Sequence, residues 1–133
     1  MTVSYGKGPK GKATRLHALL VRNRADGMCE AWLAHRNGKI DWHPECAGRI
    51  ECSHVIPRRY NAVRTELDNA LALCSGAHRH IAEFHQHHME LVAAVYGPGH
   101  WADLYARAQP AAKIDWVERV ETLTRLAEQK GLL

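Results

Sequence analysis

Apolar positions recur at helical spacing most clearly between Ala77 and Tyr96, where Ile81, Phe84, His88, Leu91, Val92 and Val95 share one face. The pattern predicts one continuous helix there, ended by Gly97-Pro98-Gly99. A second amphipathic segment runs from about Ala13 to Ala25, with Leu16, Leu19 and Leu20 on one side and Gly27 as its stop. Two more helices are expected near His100 to Gln109 and near Asp115 to Lys130, the latter turning Val117, Val120, Leu123 and Leu126 or Ala127 inward. Ile50 to Ile56 alternates and stops at Pro57, which suits a short strand, and Ala70 to Leu73 can pair back onto it. Ser75 and Gly76 then offer a helix start. Between these elements, Met28 to Arg49 has no clean period and predicts an irregular loop, while Arg58 to Asp68 is polar and loop-like. The order is strand, loop, strand, helix, flanked by further helices: an α+β chain with no internal repeat.

With 133 residues, 46% hydrophobic and 24% charged, the chain suits one domain, drawn here over residues 13–133. The net charge of +4 is unevenly placed, because Lys7, Lys10, Lys12, Arg15, Arg22 and Arg24 all precede the first acidic residue, Asp26. A segment of cations without anions attracts a polyanion by neutralising phosphates and releasing counterions; a solvated tail is the alternative. Gly6, Gly8, Pro9 and Gly11 among the lysines predict a flexible basic tail over residues 1–12. No secretory leader and no apolar run of the ~18 residues that a bilayer requires is present, so a soluble cytoplasmic protein with no membrane partner is expected. Four cysteines (Cys29, Cys46, Cys52, Cys74) beside ten histidines point to metal before disulfide in a reducing compartment, against the alternative of ordinary buried thiols.

Hydrolysis of a phosphodiester needs a base to activate water, a cation to stabilise charge on phosphate and leaving oxygen, and a group that orients the base. The two strands and the helix can supply all three. His54 near the end of the first strand can be the base, Asn69 before the second strand can hold the loop or the imidazole through its amide, and His78 in the first helical turn can ligate a metal.

The segment Glu51-Cys52-Ser53-His54-Val55-Ile56-Pro57-Arg58-Arg59, followed by Leu67-Asp68-Asn69-Ala70-Leu71-Ala72-Leu73-Cys74 and then His78, closely resembles the HNH endonuclease family, most of all its small phage-encoded members associated with recombination or DNA processing. The resemblance covers residues 29 to about 90 and, more loosely, the C-terminal helices. It implies a ββα-metal core over about residues 48–96 with added helices over about 100–130, and a DNA substrate in a bacterial host cell. It further implies that His54 is the general base, Asn69 the loop-fixing asparagine, and His78 a ligand of one catalytic divalent cation, commonly Mg²⁺, Mn²⁺, Ni²⁺ or Zn²⁺.

Two positions depart from the family pattern. The residue before the base is often Asp or His and binds the metal, but here it is Ser53; a further histidine often follows the last by four residues, where this chain has Ala82. Glu51, Cys52 or Ser53 could complete the ion's coordination, or water and substrate phosphate could. Of the histidines His78, His80, His85, His87 and His88, only His78 is assigned to the metal, because seven residues of straight helix separate His78 from His85 by roughly 10 Å. His85 and His88 are expected at the core edge or against phosphate.

Many members of the family also hold a structural zinc with two C-x-x-C pairs. Here the second pair reads Cys74-Ser75-Gly76-Ala77, and the first is replaced by Cys29 and, after an insertion, His43-Pro44-Glu45-Cys46. A tetrahedral site from Cys29, His43, Cys46 and Cys74 is one expectation. The other is an insertion packed through Trp32 and Trp42 without zinc. Arg58, Arg59 and Arg64 lie between base and asparagine, and Arg58 and Arg64 are expected to grip phosphate, with Lys7, Lys10, Lys12 and Arg15 adding non-specific DNA contacts. A zinc-stabilised nucleic-acid-binding module that has lost catalysis is the alternative function, motivated by Ser53, Ala77 and Ala82.

Overall fold

The computed structural model describes residues 6–111 and 113–133. Its order is α1 (Gly8–Asn23), α2 (Glu30–Arg36), β1 (Ile50–His54), a 3₁₀ turn (Leu67–Asn69), β2 (Ala70–Cys74), α3 (Ser75–Glu83), α4 (His85–Tyr96), α5 (His100–Ala108) and α6 (Trp116–Gln129). The strands pair antiparallel, from Ile50 opposite Cys74 to His54 opposite Ala70. The architecture is therefore α+β, a two-stranded sheet among helices, compatible with a small ββα fold.

β2 is buried along its whole length, and its alternation divides the interior. Leu71 and Leu73 enter the main core with Val55, Val63, Ile81, Leu91, Val92 and Leu104, while Ala70 and Ala72 pack against Val21 of α1. The small alanines let α1 lie close across that face of the sheet. On its other side α1 sets Ala13, Leu16 and Leu20 against Leu123 and Ala127 of α6, which forms a second apolar cluster.

Three elements differ from the sequence expectation. Helix α1 begins at Gly8, not Ala13, because Pro9 falls in its first turn, where its fixed φ and missing N–H suit a helix start. Lys10 and Lys12 are thereby helical residues; residues 1–5 of the expected tail lie outside the described residues. The Met28 to Arg49 segment contains the short helix α2, which buries only Ala31 and Ala34 and so leaves no periodic signature. It is anchored by Glu30, whose Oε1 accepts from the Ala72 backbone N–H at 2.6 Å and from Arg24 at 2.8 Å. Arg24 also donates to the carbonyls of Leu67 and Ala70 and to the Tyr96 hydroxyl, so one guanidinium ties α1, the 3₁₀ turn, β2 and α4 together.

The third difference lies in the long helix, which breaks at Phe84 (φ −115°, ψ 83°) into α3 and α4. On a straight helix His80 and His87 would stand about 10 Å apart; across the break His80 Nε2 and His87 Nδ1 are 2.8 Å apart. Both rings stack on Trp42, at 5.2 and 4.4 Å. The turn back of α4 thus covers Trp42, an apolar surface that a continuous helix would leave behind.

Candidate functional site

Both faces of β1 contribute side chains to a cleft of about 800 Å³, lined by Ile50, Glu51, Cys52 and His54, by Ala18 and Arg22 of α1, by His78 of α3, and by Arg49, Pro57 and Arg58. The cleft therefore follows the outer edge of β1 between α1 and α3. It joins two of the three residues expected to carry chemistry.

His54 is the last residue of β1, and its Nε2 lies 3.0 Å from the Arg64 carbonyl. A carbonyl only accepts, so Nε2 carries the proton and Nδ1 keeps its lone pair. Burial, opposed by that hydrogen bond and reinforced by the charges of Arg58, Arg64 and His78, lowers the His54 pKa to about 4. The ring is neutral near pH 7 and able to accept a proton.

Asn69 is wholly buried, and its side-chain hydrogen bonds go to the backbone of Ile56 and Val63 and not to the His54 ring. Its Oδ1 accepts from the Ile56 N–H at 2.8 Å, and its Nδ2 donates to the carbonyls of Ile56 and Val63, each at 3.0 Å. The Asn69 carbonyl also accepts from Val55 N–H at 3.0 Å. One amide thus clamps both ends of the segment that carries Arg58 and leads to the Arg64 carbonyl. Of the two roles open to Asn69, loop fixation is the one its contacts fit.

His78 Nδ1 lies 2.9 Å from Glu51 Oε1, and both side chains are partly solvent-accessible. The two are hydrogen-bonded as an imidazole–carboxylate pair, at a spacing that adjacent donors of an octahedral cation with ~2.1 Å bonds would also have. Of the three residues left open for that role, Ser53 is 2% exposed, opposite Leu71 on the core side, and Cys52 points at α1; Glu51 alone meets His78. Ala82 lies beside His78, Glu51 and Arg79 and contributes no donor.

A second group forms at the far end of the hairpin. The thiols of Cys29, Cys46 and Cys74 all lie within 4.8 Å of one another and could hold a metal ion. His43 does not join them: its ring is 70% exposed and its Nδ1 accepts from the Glu45 N–H at 3.0 Å. The sequence expectation of a Cys₃His set is corrected to three thiols. Cys29 caps α2 and Cys74 caps α3, where its sulfur accepts from the Ala77 N–H at 3.4 Å. Burial pushes the Cys29 and Cys46 thiols up; at Cys74 burial is outweighed by the N–H groups of Ala77 and Ala47 and by the neighbouring thiols, and the pKa falls. The loop around Cys46 presses on α3 so tightly that a Cβ at Gly76 would stand 2.1 Å from the Glu45 carbonyl oxygen. Trp42 packs in the core behind this loop, whereas Trp32 is 39% exposed beneath Arg36.

The expected phosphate-binding cations divide. Arg58 lines the cleft. Arg64 does not: its guanidinium donates to Thr14 Oγ1 at 2.9 Å and to the Arg58 carbonyl at 3.2 Å, and its contribution to the site is the carbonyl that holds His54. Arg59 lies against the Tyr60 ring. Lys10 is half-buried over Trp116, 5.9 Å from the ring centre, and Lys7 is exposed just before α1. Lys12 and Arg15 are exposed and share a stripe of α1, at helical spacing, with the half-buried Arg22, so a line of cations about 15 Å long leads along α1 into the cleft. Arg22 and Arg49 were not singled out as site residues from sequence. His85 and His88 both pack edge-on against Trp101, at 5.4 and 4.8 Å, which puts them at the core edge.

The residue least visible in the sequence is His17, fully buried in α1. Its Nε2 lies 2.9 Å from the Glu66 carbonyl, its Nδ1 3.8 Å from Cys52 Sγ, and its ring centre 5.2 Å from that of His54. Burial, together with the charges of His54, Arg119 and Arg24 and against the Glu66 hydrogen bond, lowers its pKa to about 3. The donors of His17, Cys52 and His54 lie within 4.8 Å of one another and could also hold a metal ion.

Comparison with models of protein families, with curated proteins and with solved structures finds no match to this chain. Among the described residues no helix is long and apolar enough to cross a membrane.

Proposed function

We propose that the protein is a metal-dependent endonuclease of the HNH type that hydrolyses phosphodiester bonds in DNA, encoded by a phage or prophage and used in recombination or DNA processing. One observation carries the reading: a neutral, tautomerically fixed imidazole, His54, shares a single cleft with the Glu51–His78 pair and with Arg22, Arg49 and Arg58. His54 Nδ1 takes the proton of the attacking water, and the Arg64 carbonyl stabilises the imidazolium so formed through Nε2–H. Glu51 and His78 would hold a divalent cation, which would supply stabilisation of charge on the phosphate and the leaving oxygen. The arginines bind flanking phosphates bidentately. Cys29, Cys46 and Cys74 would hold a structural zinc, linking the loop before β1 to the start of α3.

The test is cleavage of linear duplex, single-stranded and branched DNA with Mg²⁺ or Mn²⁺ and with chelator. Metal-dependent cutting of at least one form, lost in His78→Ala with Glu51→Gln, is expected; no cutting of any form, with DNA binding retained, would favour a zinc-stabilised binding module. That second reading draws on Ser53 and Ala82, which leave only two protein donors at the cation position.

A further inference from the structure

At the inner wall of the cleft, His17 of α1 and Cys52 and His54 of β1 bring two imidazoles and a thiol together within 4.8 Å. Each ring gives its Nε2–H to a backbone carbonyl, His17 to Glu66 at 2.9 Å and His54 to Arg64 at 3.0 Å. That leaves Nδ1 as the lone-pair atom of both, and His17 Nδ1 already faces Cys52 Sγ at 3.8 Å. Metal-bound histidines are held in this way, with the second ring nitrogen committed to a carbonyl or carboxylate that fixes the tautomer. A lone buried histidine needs one such bond; two imidazoles so fixed, with ligand atoms within 4.8 Å of one thiol, form a donor set. Cys52 and His54 line the cleft, so the fourth position of a tetrahedron opens onto solvent.

We propose that His17, Cys52 and His54 form a second metal site, selective for a borderline-soft divalent ion such as Zn²⁺, whose occupation withdraws His54 from hydrolysis. The inhibitory half of this proposal rests on the reading of His54 as the base; the ligand set does not. One thiolate and two imidazoles suit Zn²⁺ and disfavour Mg²⁺, whereas Glu51 and His78 offer the carboxylate that a hard cation prefers. Binding forms a metal–thiolate bond and releases the Cys52 proton to solvent. The lone pair of His54 Nδ1 then lies in a metal bond and cannot accept a proton from water. A soft ion thereby acts as an off-switch against a hard ion that supports the reaction.

The experiment uses the full chain, stripped by chelator and titrated with Zn²⁺, with bound ion counted by elemental analysis after dialysis and each cysteine's alkylation mapped by mass. Two Zn²⁺ per chain are expected, one at the Cys29, Cys46 and Cys74 group. Cys52→Ser should retain one, His54→Ala should weaken the second at least ten-fold, and Zn²⁺ should protect Cys52 of the unaltered protein from alkylation. Two ions retained in Cys52→Ser with unchanged affinity, or alkylation of Cys52 indifferent to Zn²⁺, would overturn the site, and neither result depends on a variant's activity. In Mg²⁺-supported cleavage the second equivalent of Zn²⁺ should lower the rate at least ten-fold, and in Cys52→Ser the ratio of rates with and without Zn²⁺ should stay near one. Zn²⁺ bound at Cys52 with cleavage unaffected would remove the off-switch. Absence of cleavage under every condition would instead count against the nuclease reading, while the ion count and the His54→Ala affinity still decide the site.

Discussion

The two ends of the β1–β2 hairpin carry sulfur and imidazole in opposite settings. At the Cys74 end three thiols meet behind a loop pressed so closely on α3 that Gly76 has no room for a Cβ. At the His54 end an imidazole that keeps a lone pair stands on the wall of a cleft of about 800 Å³. The same strands bound both, so the difference comes from what covers each end. A closed group of donors gives its binding energy to the fold, and one that keeps an open position gives it to a ligand. The closed thiol group and the His54 ring thus stand at opposite ends of five residue pairs.

The largest effect is expected when the closed end is disturbed. With an ion bound, Cys74→Ser should lower stability by more than about 3 kcal/mol, since structural zinc in small domains contributes ~10–16 kcal/mol, and chelator should mimic it. Cys52→Ser should cost less than Cys74→Ser in thermal unfolding; equal effects would mean that the two ends are not divided in this way. Asn69→Ala comes next. It strands the Ile56 N–H and the carbonyls of Ile56 and Val63 in the interior, at about 1–3 kcal/mol each, so a loss of ~3 kcal/mol by denaturant unfolding is expected. Because it frees the loop carrying the Arg64 carbonyl, the rate should fall as well, a coupling that a purely structural asparagine at the closed end would not produce.

Smaller effects sharpen the contrast. Burial, with the charges of His85 and His78, lowers the His88 pKa to about 4, and its Nε2 has no partner. The unfolded chain binds this proton at about pH 6.5 and the native state resists it, so stability is full above that pH and falls as pH drops toward 4. His88→Gln should flatten this acid limb in pH-dependent melting. The smallest effect belongs to the cation stripe. Lys12→Ser and Arg15→Ser should weaken DNA binding alike for all sequences and flatten log affinity against log salt by about 0.9 per lost phosphate contact, leaving turnover at saturating DNA unchanged. Point changes serve here because deletion of residues 1–12 would remove the first turn of α1, and with it support for the packing of Ala13 on α6.

Much of the hairpin was legible because its signals are local. Alternation ending at Pro57 marked β1, and the sequence positions expected for His54, Asn69 and His78 match the end of β1, the turn before β2 and the first turn of α3. What escaped depends on contacts distant in sequence. Helix α2 owes its place to Glu30 reaching Ala72 and Arg24. The apolar spacing in the sequence runs on through Phe84 without interruption, although Phe84 itself is exposed, so the period of 3.6 could not reveal the break. His43 reads as a ligand by its spacing to Cys46, yet turns its ring to solvent and its Nδ1 to Glu45. His17 sits among ordinary apolar positions of α1, and only the pairing of α1 with β1 brings it to Cys52.

The central claim, that His54 is the base of a metal-dependent hydrolysis in this cleft, is tested most directly by the single-turnover cleavage rate of His54→Ala with Mg²⁺ at saturating DNA. Removal of a general base costs about 10²–10⁴ in rate. The account requires a fall of that size with DNA affinity and melting temperature little changed, because His54 contributes one hydrogen bond to the fold and stands on the wall of the cleft. Cleavage by His54→Ala at the parent rate would contradict it.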